Sequence, residues 1–409
     1  MATKVFTHIN LLAGTHEQCS FIRGNKLKKL PVIKNAYLVV EEDHIAEIGE
    51  MENCKYHGAR IDVGTIVIPA WCDSHTHLVF ATSREEEFID KINGLTYAEI
   101  AEKGGGILNS AQKLNDATED ELFIQAWKRL SEIRAMGTGA VEIKSGYGLS
   151  LEGELKMLRV IKRLKEKSDL KIKSTFLGAH AFPNEYKNDH KGYIQLIIEE
   201  MLPQIAKEHL ADYVDAFCEN GFFNPEEMSK VCNAAKSLGL KPKLHVNQLN
   251  SIGGIEAGIQ LGALSLDHLE TLTDSDISQL GKFNGASTLL PTAAYFLRMP
   301  MPPARALINA GAAVTLASDY NPGSSPSGNM NLVHSMSCIQ MKMLPEEAIN
   351  AATINGSCAM EIEKDYGSIT VGKKANLIFT KPVPSLAYLS YAFGSDHIEN
   401  VMINGNFIS

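Results

Sequence analysis

The chain has 409 residues, of which 44% are hydrophobic and 21% are charged, and its formal net charge is -9. These values are typical of a soluble globular protein with one large domain and a small one, or with two or three domains. We expect no nucleic-acid partner, because no basic cluster is long enough to follow a phosphate backbone. No apolar run approaches the roughly 20 residues of a membrane helix, and no signal peptide is visible. Seven cysteines without a CxxC pair indicate reduced thiols and a cytoplasmic location.

Both ends of the chain predict short strands. Near the N-terminus, "NAYLVVEEDHIAEIGE" and "GARIDVGTIVIP" combine extended apolar runs with turn residues. Near the C-terminus, "GSITVGKKANLIFT" and "HIENVMINGNFIS" alternate apolar and polar residues. We therefore expect a small β-sandwich domain built from both termini, covering residues 1–66 and 365–409.

Between these ends, short apolar runs alternate with longer helical patterns, and Ser150 is a possible N-cap for one of the helices. Strands of this kind predict a parallel sheet that is buried on both faces. Eight such units favour a (β/α)8 barrel over residues 67–364. The alternative, an open doubly wound sheet, is disfavoured because no glycine-rich phosphate fingerprint follows the first strand. The runs are "TIVIPAWCDSHTH", "TGAVEIKSGYG", "KIKSTFLGAHA", "YVDAFCE", "KPKLHVNQ", "ALSLDHLE", "STLLPTAA" and "AAVTLASD".

Polar side chains stand near the ends of most predicted strands, where barrel enzymes keep their chemistry. His75 and His77 are two residues apart on the first strand, so their side chains point to the same face. A lone histidine on an apolar strand is usually a structural residue. This pair occurs together with other strand-end donors, which predicts a metal site: His180, His245, His268 and Asp319.

The simplest ligand set is His75, His77, His245 and Asp319, which leaves a position open for water. Neutral imidazoles and a carboxylate suit zinc or a similar ion such as iron. A bound cation would acidify that water and create a nucleophile. His268 and Glu270 are candidates for proton transfer or ligand support, but we interpret Glu270 as a helix cap or a solvated loop residue.

Longer motifs in the barrel region resemble the metal-dependent amidohydrolase superfamily and, within it, the imidazolonepropionase family. The most specific stretches are "KSGYGL", "LGAHAFP" and "SDYNPGS", and "PAWCDSHTHL" and "HVNQL" support them. The resemblance runs from residue 75 to about residue 327. It implies the barrel fold and hydrolysis of the cyclic amide C–N bond of 4-imidazolone-5-propanoate to N-formimidoyl-L-glutamate. It also implies one divalent or trivalent metal ion per chain, zinc or iron, a small-molecule substrate, no membrane partner and a homodimer.

Carried over residue by residue, the resemblance implies the same four metal ligands, His75, His77, His245 and Asp319. It places His268 beside the attacking water, and Asp319 could move the proton to the leaving nitrogen. Gln248 takes the position of a polar or acidic residue near the ring, where the family often has Glu. Gln248 is carried over as a catalytic residue together with His268 and Asp319. If a carboxylate at this position is the obligatory base, Gln248 cannot serve, and that role shifts to His268 or Asp319. The implied substrate contacts are Arg84, Tyr97, Tyr147, His180, Gln248, Asn321, Gly323 and Ser324.

Three alternatives remain open, one for Arg84 and two for the function. The guanidinium of Arg84 suits a substrate carboxylate, although by itself the residue is better explained by a solvated charge cluster with Glu85, Glu86 and Glu87. A different amidohydrolase, either an aminohydrolase of nucleobases or a dinuclear enzyme with a carboxylated lysine such as Lys144, is the first rival. A non-catalytic scaffold that kept the fold is the second.

Overall fold

The computed structural model describes residues 3–17, 19–95, 99, 103 and 105–408. Its strands form two eight-stranded sheets, one from the middle of the chain and one from its two ends. In chain order they are β1 Thr3–Ala13, β2 Val32–Glu41, β3 His44–Glu50, β4 Ile61–Asp62, β5 Ile66–Pro69, β6 Trp71–Thr76, β7 Thr138–Lys144, β8 Lys171–Ala179, β9 Tyr213–Cys218, β10 Lys241–Val246, β11 Ser265–His268, β12 Ala286–Leu289, β13 Ala313–Leu316, β14 Leu377–Thr380, β15 Ile398–Ile403 and β16 Asn406–Phe407.

Helices connect the strands of the middle region and cover the outside of their sheet. Short 3-10 segments occur at Gly24–Lys28, Met51–Asn53 and Asn184–Tyr186, and a π-helical segment at Ile197–Met201 joins two α-helices. The α-helices are α1 Glu85–Ile92, α2 Gly106–Asp116, α3 Glu119–Ala135, α4 Leu151–Lys167, α5 His190–Leu196, α6 Leu202–Glu208, α7 Pro225–Ser237, α8 Gly254–Gln260, α9 Asp274–Lys282, α10 Pro291–Phe296, α11 Ala304–Ala310, α12 Met330–Ile339, α13 Pro345–Ala352, α14 Ile354–Ala359 and α15 Leu386–Tyr391.

The middle sheet is a (β/α)8 barrel, as the sequence predicts. Its strands β6 to β13 lie side by side in chain order, and each neighbouring pair is parallel. The predicted apolar runs supply all eight strands. The first run is divided, since Ile66–Pro69 joins the terminal sheet before Trp71–Thr76 begins the barrel. Strands covered on both faces need continuous apolar residues, which explains why these runs do not alternate.

The barrel closes at a seam between β6 and the segment that follows β13. Thr76 and Tyr320 form a parallel bridge across it. The backbone N–H of Asp319 donates to the carbonyl of His75 at 3.0 Å, and that of His77 donates to the carbonyl of Tyr320 at 2.9 Å. The seam therefore places His75, from the first strand of the barrel, next to Asp319, which follows the last strand.

Local sequence signals fix the starts of the longest barrel helices. The predicted cap at Ser150 is confirmed, since its side chain accepts a hydrogen bond from the backbone N–H of Gly153 at 3.1 Å. Thr118 and Glu121 form a complete capping box at the start of α3. None of the helices in the described part of the chain is long and apolar enough to cross a membrane.

The terminal sheet has the order β16-β15-β14-β5-β1-β2-β3, with β4 also paired to β1. Four steps separate β16 from β1, so a flat sheet would hold them about 19 Å apart. The rings of Phe6 on β1 and Phe407 on β16 nevertheless lie 5.9 Å apart. The sheet therefore curls around a shared apolar core, as the strands of a sandwich do.

Candidate metal centre and active site

Three histidine side chains converge at the carboxyl ends of the barrel strands. The Nε2 atoms of His75 and His77 are 3.3 Å apart, and Nε2 of His245 is also 3.3 Å from that of His77. All three side chains are buried. His75 lies on β6, His77 directly follows it, and His245 lies on β10. The barrel thus brings together donors that are far apart in sequence.

Buried aspartates fix the orientation of two of these imidazoles. Nδ1 of His75 lies 2.7 Å from Oδ2 of Asp267, and Nδ1 of His245 lies 2.8 Å from Oδ2 of Asp215. A carboxylate that accepts from Nδ1–H leaves Nε2 with a free lone pair. The Nε2 lone pairs of His75 and His245 therefore both face the point where His77 also arrives, an arrangement that a cation would stabilise.

Asp319 brings a carboxylate oxygen to two of these imidazoles at the spacing of metal ligands. Its Oδ1 lies 3.4 Å from Nε2 of His75 and 3.5 Å from Nε2 of His77. Ligands about 2.0–2.1 Å from a tetrahedral zinc ion lie about 3.3–3.4 Å from one another. His75, His77 and His245 form one group of side chains able to hold an ion together, and His75, His268 and Asp319 form another. The residues present therefore fit a metal ion.

Burial shapes the protonation of this site. It holds the pKa of His75, His77 and His245 well below the usual value of 6.5, so their lone pairs are available. It also raises the pKa of Asp319 to about 7, against hydrogen bonds that lower it. A buried carboxylate needs a compensating positive charge. A bound cation would meet that need.

A network of buried ions lies beneath the donors. Nζ of Lys144 donates to Glu142 and to Asp215 at 2.8 Å each, and it lies 3.6 Å from Asp267. Lys243 pairs with Glu142 and donates to the carbonyl of Ser74 at 3.2 Å. Lys144 therefore supports both aspartates that orient the histidines. Its ammonium is held by carboxylates, which does not suit the bridging lysine of a dinuclear site.

His268 and Glu270 form a buried pair beside the donor set. Nδ1 of His268 lies 3.3 Å from Oε1 of Glu270, whose side chain is 1% exposed. Burial alone would lower the pKa of His268, but the neighbouring carboxylate of Glu270 raises it above its usual value. The interpretation of Glu270 as a helix cap or solvated loop residue is wrong, because the side chain points inward to His268.

Arg84 lies at the rim of the barrel with an unsatisfied donor. Its Nε donates to Oγ of Ser110 at 2.8 Å and lies 3.9 Å from Glu87, but its Nη2 is buried and finds no hydrogen-bond partner among the described residues. A Cβ at Gly323 would come within 2.7 Å of the guanidinium, so glycine allows Arg84 to lie there. With a side chain only 12% exposed, Arg84 does not belong to a solvated charge cluster.

Two predicted substrate contacts with aromatic rings, His180 and Tyr147, lie next to the metal donor His77. The ring of His180 stacks on that of His77 with centroids 5.7 Å apart, and Tyr147 meets His180 edge-on at 5.6 Å. Tyr147 is also close to the metal donors, since its ring is 6.1 Å from His77. Tyr97, the remaining aromatic candidate, lies outside the described residues.

The loop after β13 brings further predicted contacts to the donors. Asn321 donates through Nδ2 to the carbonyl of Asp319 at 2.7 Å and to Oγ of Ser324 at 2.6 Å. Oγ of Ser324 donates to Oδ2 of Asp319 at 3.2 Å. The backbone N–H groups of Gly323 and Ser324 both donate to Oδ1 of Asn321. Asn321 thus holds this loop folded against Asp319.

Gln248 is buried in the loop after β10, and Glu219 holds that loop in place. The carboxylate of Glu219 accepts from the backbone N–H groups of Leu249 at 2.8 Å and Asn250 at 3.1 Å. The side-chain amide of Asn250 also donates to it at 2.9 Å. Glu219, the last residue of the predicted strand run "YVDAFCE", is therefore a loop anchor.

Four residues at the strand ends have a left-handed backbone. His268 has φ of 85°, Leu269 of 65°, Asn247 of 55° and Asp319 of 52°. Asn, Asp and His adopt this region more readily than other side chains. For Leu269 it is unfavourable and costs of order 1–3 kcal/mol.

A family model for the amidohydrolase family matches residues 66–408, which include the whole barrel. The chain belongs to the amidohydrolase family. It is 55% identical to the imidazolonepropionase of Flavobacterium johnsoniae over the full length of both chains. It is 54% identical to that of Christiangramia forsetii, over 99% of this chain and 100% of the relative, and 43% identical to that of Clostridium tetani, over 94% and 93%. This amidohydrolase is therefore a metal-dependent hydrolase grouped with the imidazolonepropionases.

Solved structures of more distant proteins share the fold of the amidohydrolase. A 5-methylcytosine deaminase from Klebsiella pneumoniae superposes with a TM-score of 0.75 at 15% identity, covering 99% of this chain and 97% of its own. Guanine deaminase of E. coli gives 0.71 at 13% identity, covering 100% and 99%. At such low identity the likeness concerns the fold alone.

The sequence does not predict the roles of several buried charged side chains of the amidohydrolase. The sequence pattern places Asp215, Asp267 and Lys243 within predicted strands and assigns them no role. Each places a charge inside an otherwise apolar strand, which is rare unless the charge is paired. That signal could have identified them as buried ions. It could not have revealed which histidine each aspartate orients.

Proposed function

We propose that this metal-dependent hydrolase acts as an imidazolonepropionase with the donor set described above. It opens the ring of 4-imidazolone-5-propanoate at the cyclic amide C–N bond and releases N-formimidoyl-L-glutamate, a step of histidine degradation. The observation that carries the proposal is the 55% identity to a curated imidazolonepropionase over the whole of both chains. The small-molecule substrate follows from the same relationship.

In this proposal His75, His77, His245 and Asp319 bind one zinc or iron ion. Four of the donor-to-donor distances, 3.3–3.5 Å, support ligation of one shared ion. Charge also supports a cation at this site. Two lysines, Lys144 and Lys243, pair with the carboxylates of Glu142, Asp215 and Asp267. The buried carboxylate of Asp319 lies among the metal donors instead, where a cation would neutralise it.

Arg84 binds the propanoate group of the substrate in this proposal. Its buried Nη2 has no partner within the described residues, which is costly for a guanidinium. A carboxylate accepts readily from a guanidinium and would satisfy that donor. The close approach that Gly323 permits keeps the guanidinium beside the loop of Asn321 and Ser324. The substrate chain would therefore lie between Arg84 and the metal donors.

The planar ring then lies against the aromatic side of the site. Tyr147 and His180 offer ring faces and polar atoms next to His77. Nδ1 of His180 lies 2.8 Å from the carbonyl of Gly146, so this nitrogen carries the proton and Nε2 remains an acceptor. Gln248, Asn321, Gly323 and Ser324 border the remaining sides. Tyr97 is a further proposed contact.

Proton transfer depends on His268 and Asp319, because the amide of Gln248 cannot accept a proton. A bound cation supplies Lewis-acid polarisation of the substrate carbonyl and acidifies a water molecule. Asp319 is placed to take the proton of the attacking water and to pass it to the leaving ring nitrogen. Glu270 lies beside Nδ1 of His268 and favours the protonated ring, whose second N–H can donate to the developing oxyanion.

Turnover of the proposed substrate is the decisive experiment. Purified protein is incubated with 4-imidazolone-5-propanoate, and loss of ring absorbance is followed with and without a chelator. We expect turnover that depends on metal, and a product heavier than the substrate by one water. The variant His75→Ala should lose it. His397→Ala should retain it, since the ring of His397 lies 3.0 Å from the carbonyl of Ala392, away from the metal donors. Metal-loaded protein without turnover would redirect the proposal to another cyclic amide.

We further propose that the enzyme works in the cytoplasm as a homodimer. All seven cysteines lie within the described residues and are free thiols, which suits a reducing compartment. Light scattering of the purified protein tests the oligomeric state, and a mass of twice 44.7 kDa is expected.

A further inference from the structure

The loop between β7 and α4 carries Tyr147, and a single buried side chain organises it. Glu154, in the first turns of α4, turns back toward the loop. Its Oε1 accepts from the backbone N–H groups of Gly148 at 2.7 Å and Leu149 at 3.0 Å. Its Oε2 accepts from the N–H of Gly146 at 3.1 Å. The carboxylate therefore binds the backbone on both sides of Tyr147.

This loop cannot relax easily into another shape. Gly146 has φ of 110° and Leu149 has φ of 48°, and the second value is unfavourable for a leucine. A Cβ on Gly148 would lie 2.3 Å from the backbone of Gly153, so the loop runs directly against the start of the helix. Glu154 is fully buried. If its carboxylate is lost, water cannot easily reach the three backbone N–H groups to accept their hydrogen bonds.

The same anchor extends to a second proposed substrate contact. The carbonyl of Gly146 accepts from Nδ1–H of His180 at 2.8 Å. The N–H of that same glycine is the group bound by Glu154. His180 in turn stacks on the metal donor His77 and meets Tyr147 edge-on. A shift of the loop would therefore move both aromatic contacts while leaving the metal donors on their own strands.

We infer that Glu154 is a positioning residue for substrate binding, which acts through the backbone of residues 146–149 on Tyr147 and His180. The inference rests on the proposed function, since it assumes that these two side chains contact the substrate. A carboxylate is required because three donors need two acceptor oxygens. An amide offers one oxygen, and its NH2 group would face a backbone N–H.

The variant Glu154→Gln tests this assignment. We expect KM for 4-imidazolone-5-propanoate to rise about tenfold, the order of magnitude for one lost hydrogen bond to a buried charge. We expect kcat to change less than threefold and metal content to stay at one per chain, because the metal donors lie on other segments. Glu154→Asp, which keeps both oxygens, should give an intermediate KM. This second variant keeps the test valid if Glu154→Gln fails to fold.

Glu347 provides a matched control for a purely structural effect. It is another buried glutamate that accepts from a backbone N–H, that of Leu344 at 2.8 Å, and it also binds Arg305, outside the proposed active site. Glu347→Gln should lower Tm without changing KM. If Glu154→Gln and Glu154→Asp likewise lower Tm and leave KM unchanged, the inference is overturned.

A double-mutant cycle separates this inference from the proposed function. If Glu154 acts through Tyr147, the loss of kcat/KM in Glu154→Gln/Tyr147→Phe should be smaller than the product of the two single losses. Losses that multiply would refute action through Tyr147. A Tyr147→Phe enzyme with unchanged KM would instead refute the substrate contact of the Tyr147 hydroxyl. Absence of turnover in the unmodified, metal-loaded enzyme would refute the proposed function itself.

Discussion

Nδ1 of His75 lies 2.7 Å from Oδ2 of Asp267, and neither side chain is exposed to solvent. The same relationship recurs between His245 and Asp215 at 2.8 Å. Each aspartate fixes the tautomer of a proposed metal ligand, and Lys144 lies between the two aspartates. The metal centre therefore depends on residues that do not themselves reach the ion.

Replacing Asp267 by asparagine should weaken metal binding about tenfold to a hundredfold, the usual cost of losing a partner of a ligating histidine. The physical reason is that a neutral amide makes the imidazole of His75 a poorer donor. Competition with a chromophoric chelator measures the affinity. As a control, Asp276→Asn changes a buried carboxylate that caps α9, and its metal affinity should equal that of the parent. Equal affinities in all three proteins would contradict the assigned role of Asp267.

Removal of Lys144 should destabilise the protein strongly. Burial alone would lower the pKa of Lys144, but Asp215, Glu142 and Asp267 outweigh it and hold the pKa above its usual value. Lys144→Met leaves those carboxylates buried without their cation, which costs about 3–5 kcal/mol of the free energy of unfolding. Urea denaturation at pH 7 measures it.

The pair of Lys165 and Asp212, whose side chains are 29% and 30% exposed, serves as comparison for Lys144. Lys165→Met should cost about 1 kcal/mol, because solvent still stabilises the remaining carboxylate. If Lys144→Met lowers the free energy of unfolding no more than Lys165→Met does, the buried ion network contributes little to stability.

Arg84→Met should raise KM for the substrate about tenfold to a hundredfold, since a hydrogen bond between charged groups contributes about 1.5–3 kcal/mol. Steady-state kinetics with two compounds gives the test. For an imidazolone that lacks the propanoate group, parent and variant should have similar kcat/KM. If the variant loses as much activity on that compound, Arg84 does not bind the carboxylate.

Metal removal should abolish turnover and lower Tm together. Dialysis against a chelator takes away the ion that offsets the buried carboxylate of Asp319, and the folded state loses the binding free energy. An ion present at about a hundred times its Kd contributes about 2.7 kcal/mol. Calorimetry before and after addition of Zn2+ or Fe2+ measures the recovery. A Tm that does not respond to either ion would argue against the proposed site.

Asp212 should contribute stability that depends on pH. Burial alone would raise its pKa, but Lys165 at 2.7 Å and the N–H of Ser174 at 2.8 Å outweigh burial and lower it. A carboxyl with a depressed pKa in the folded state stabilises the protein above its unfolded pKa of about 3.9, and that stability is lost as pH falls through the folded pKa. Asp212→Asn should therefore be less stable by about 1–3 kcal/mol at pH 7. In urea denaturation the difference should shrink as pH falls below about 4.

The barrel could be predicted because its strands are continuous apolar runs separated by helices, a pattern that survives without tertiary information. The spacing of His75 and His77 predicted that they share a face, and the structure brings both to His245 and Asp319. The position of Glu270 could not be read in this way. The two residues before Glu270, His268 and Leu269, have a left-handed backbone. The sequence at these positions does not predict that conformation, so it does not predict the direction of the Glu270 side chain.

The role of Glu154 could not be predicted from the sequence either. As a residue of the first turns of a helix it has an ordinary local explanation, because carboxylates are favoured there. Its hydrogen bonds to the loop arise only from the sharp return of the chain at Gly148 and Gly153. Likewise, pairing of His245 with Asp215 depends on which strands are neighbours in the barrel and on their register.

The strand β5 pairs with β1 from the start of the chain and with β14 near its end, and this constrains the order of events on the ribosome. Until residues 377–380 have left the exit tunnel, one edge of β5 presents unpaired amide groups to every other nascent protein nearby. The barrel is translated within that interval. A chain interrupted before β14 would therefore expose this edge, and aggregation is its expected fate.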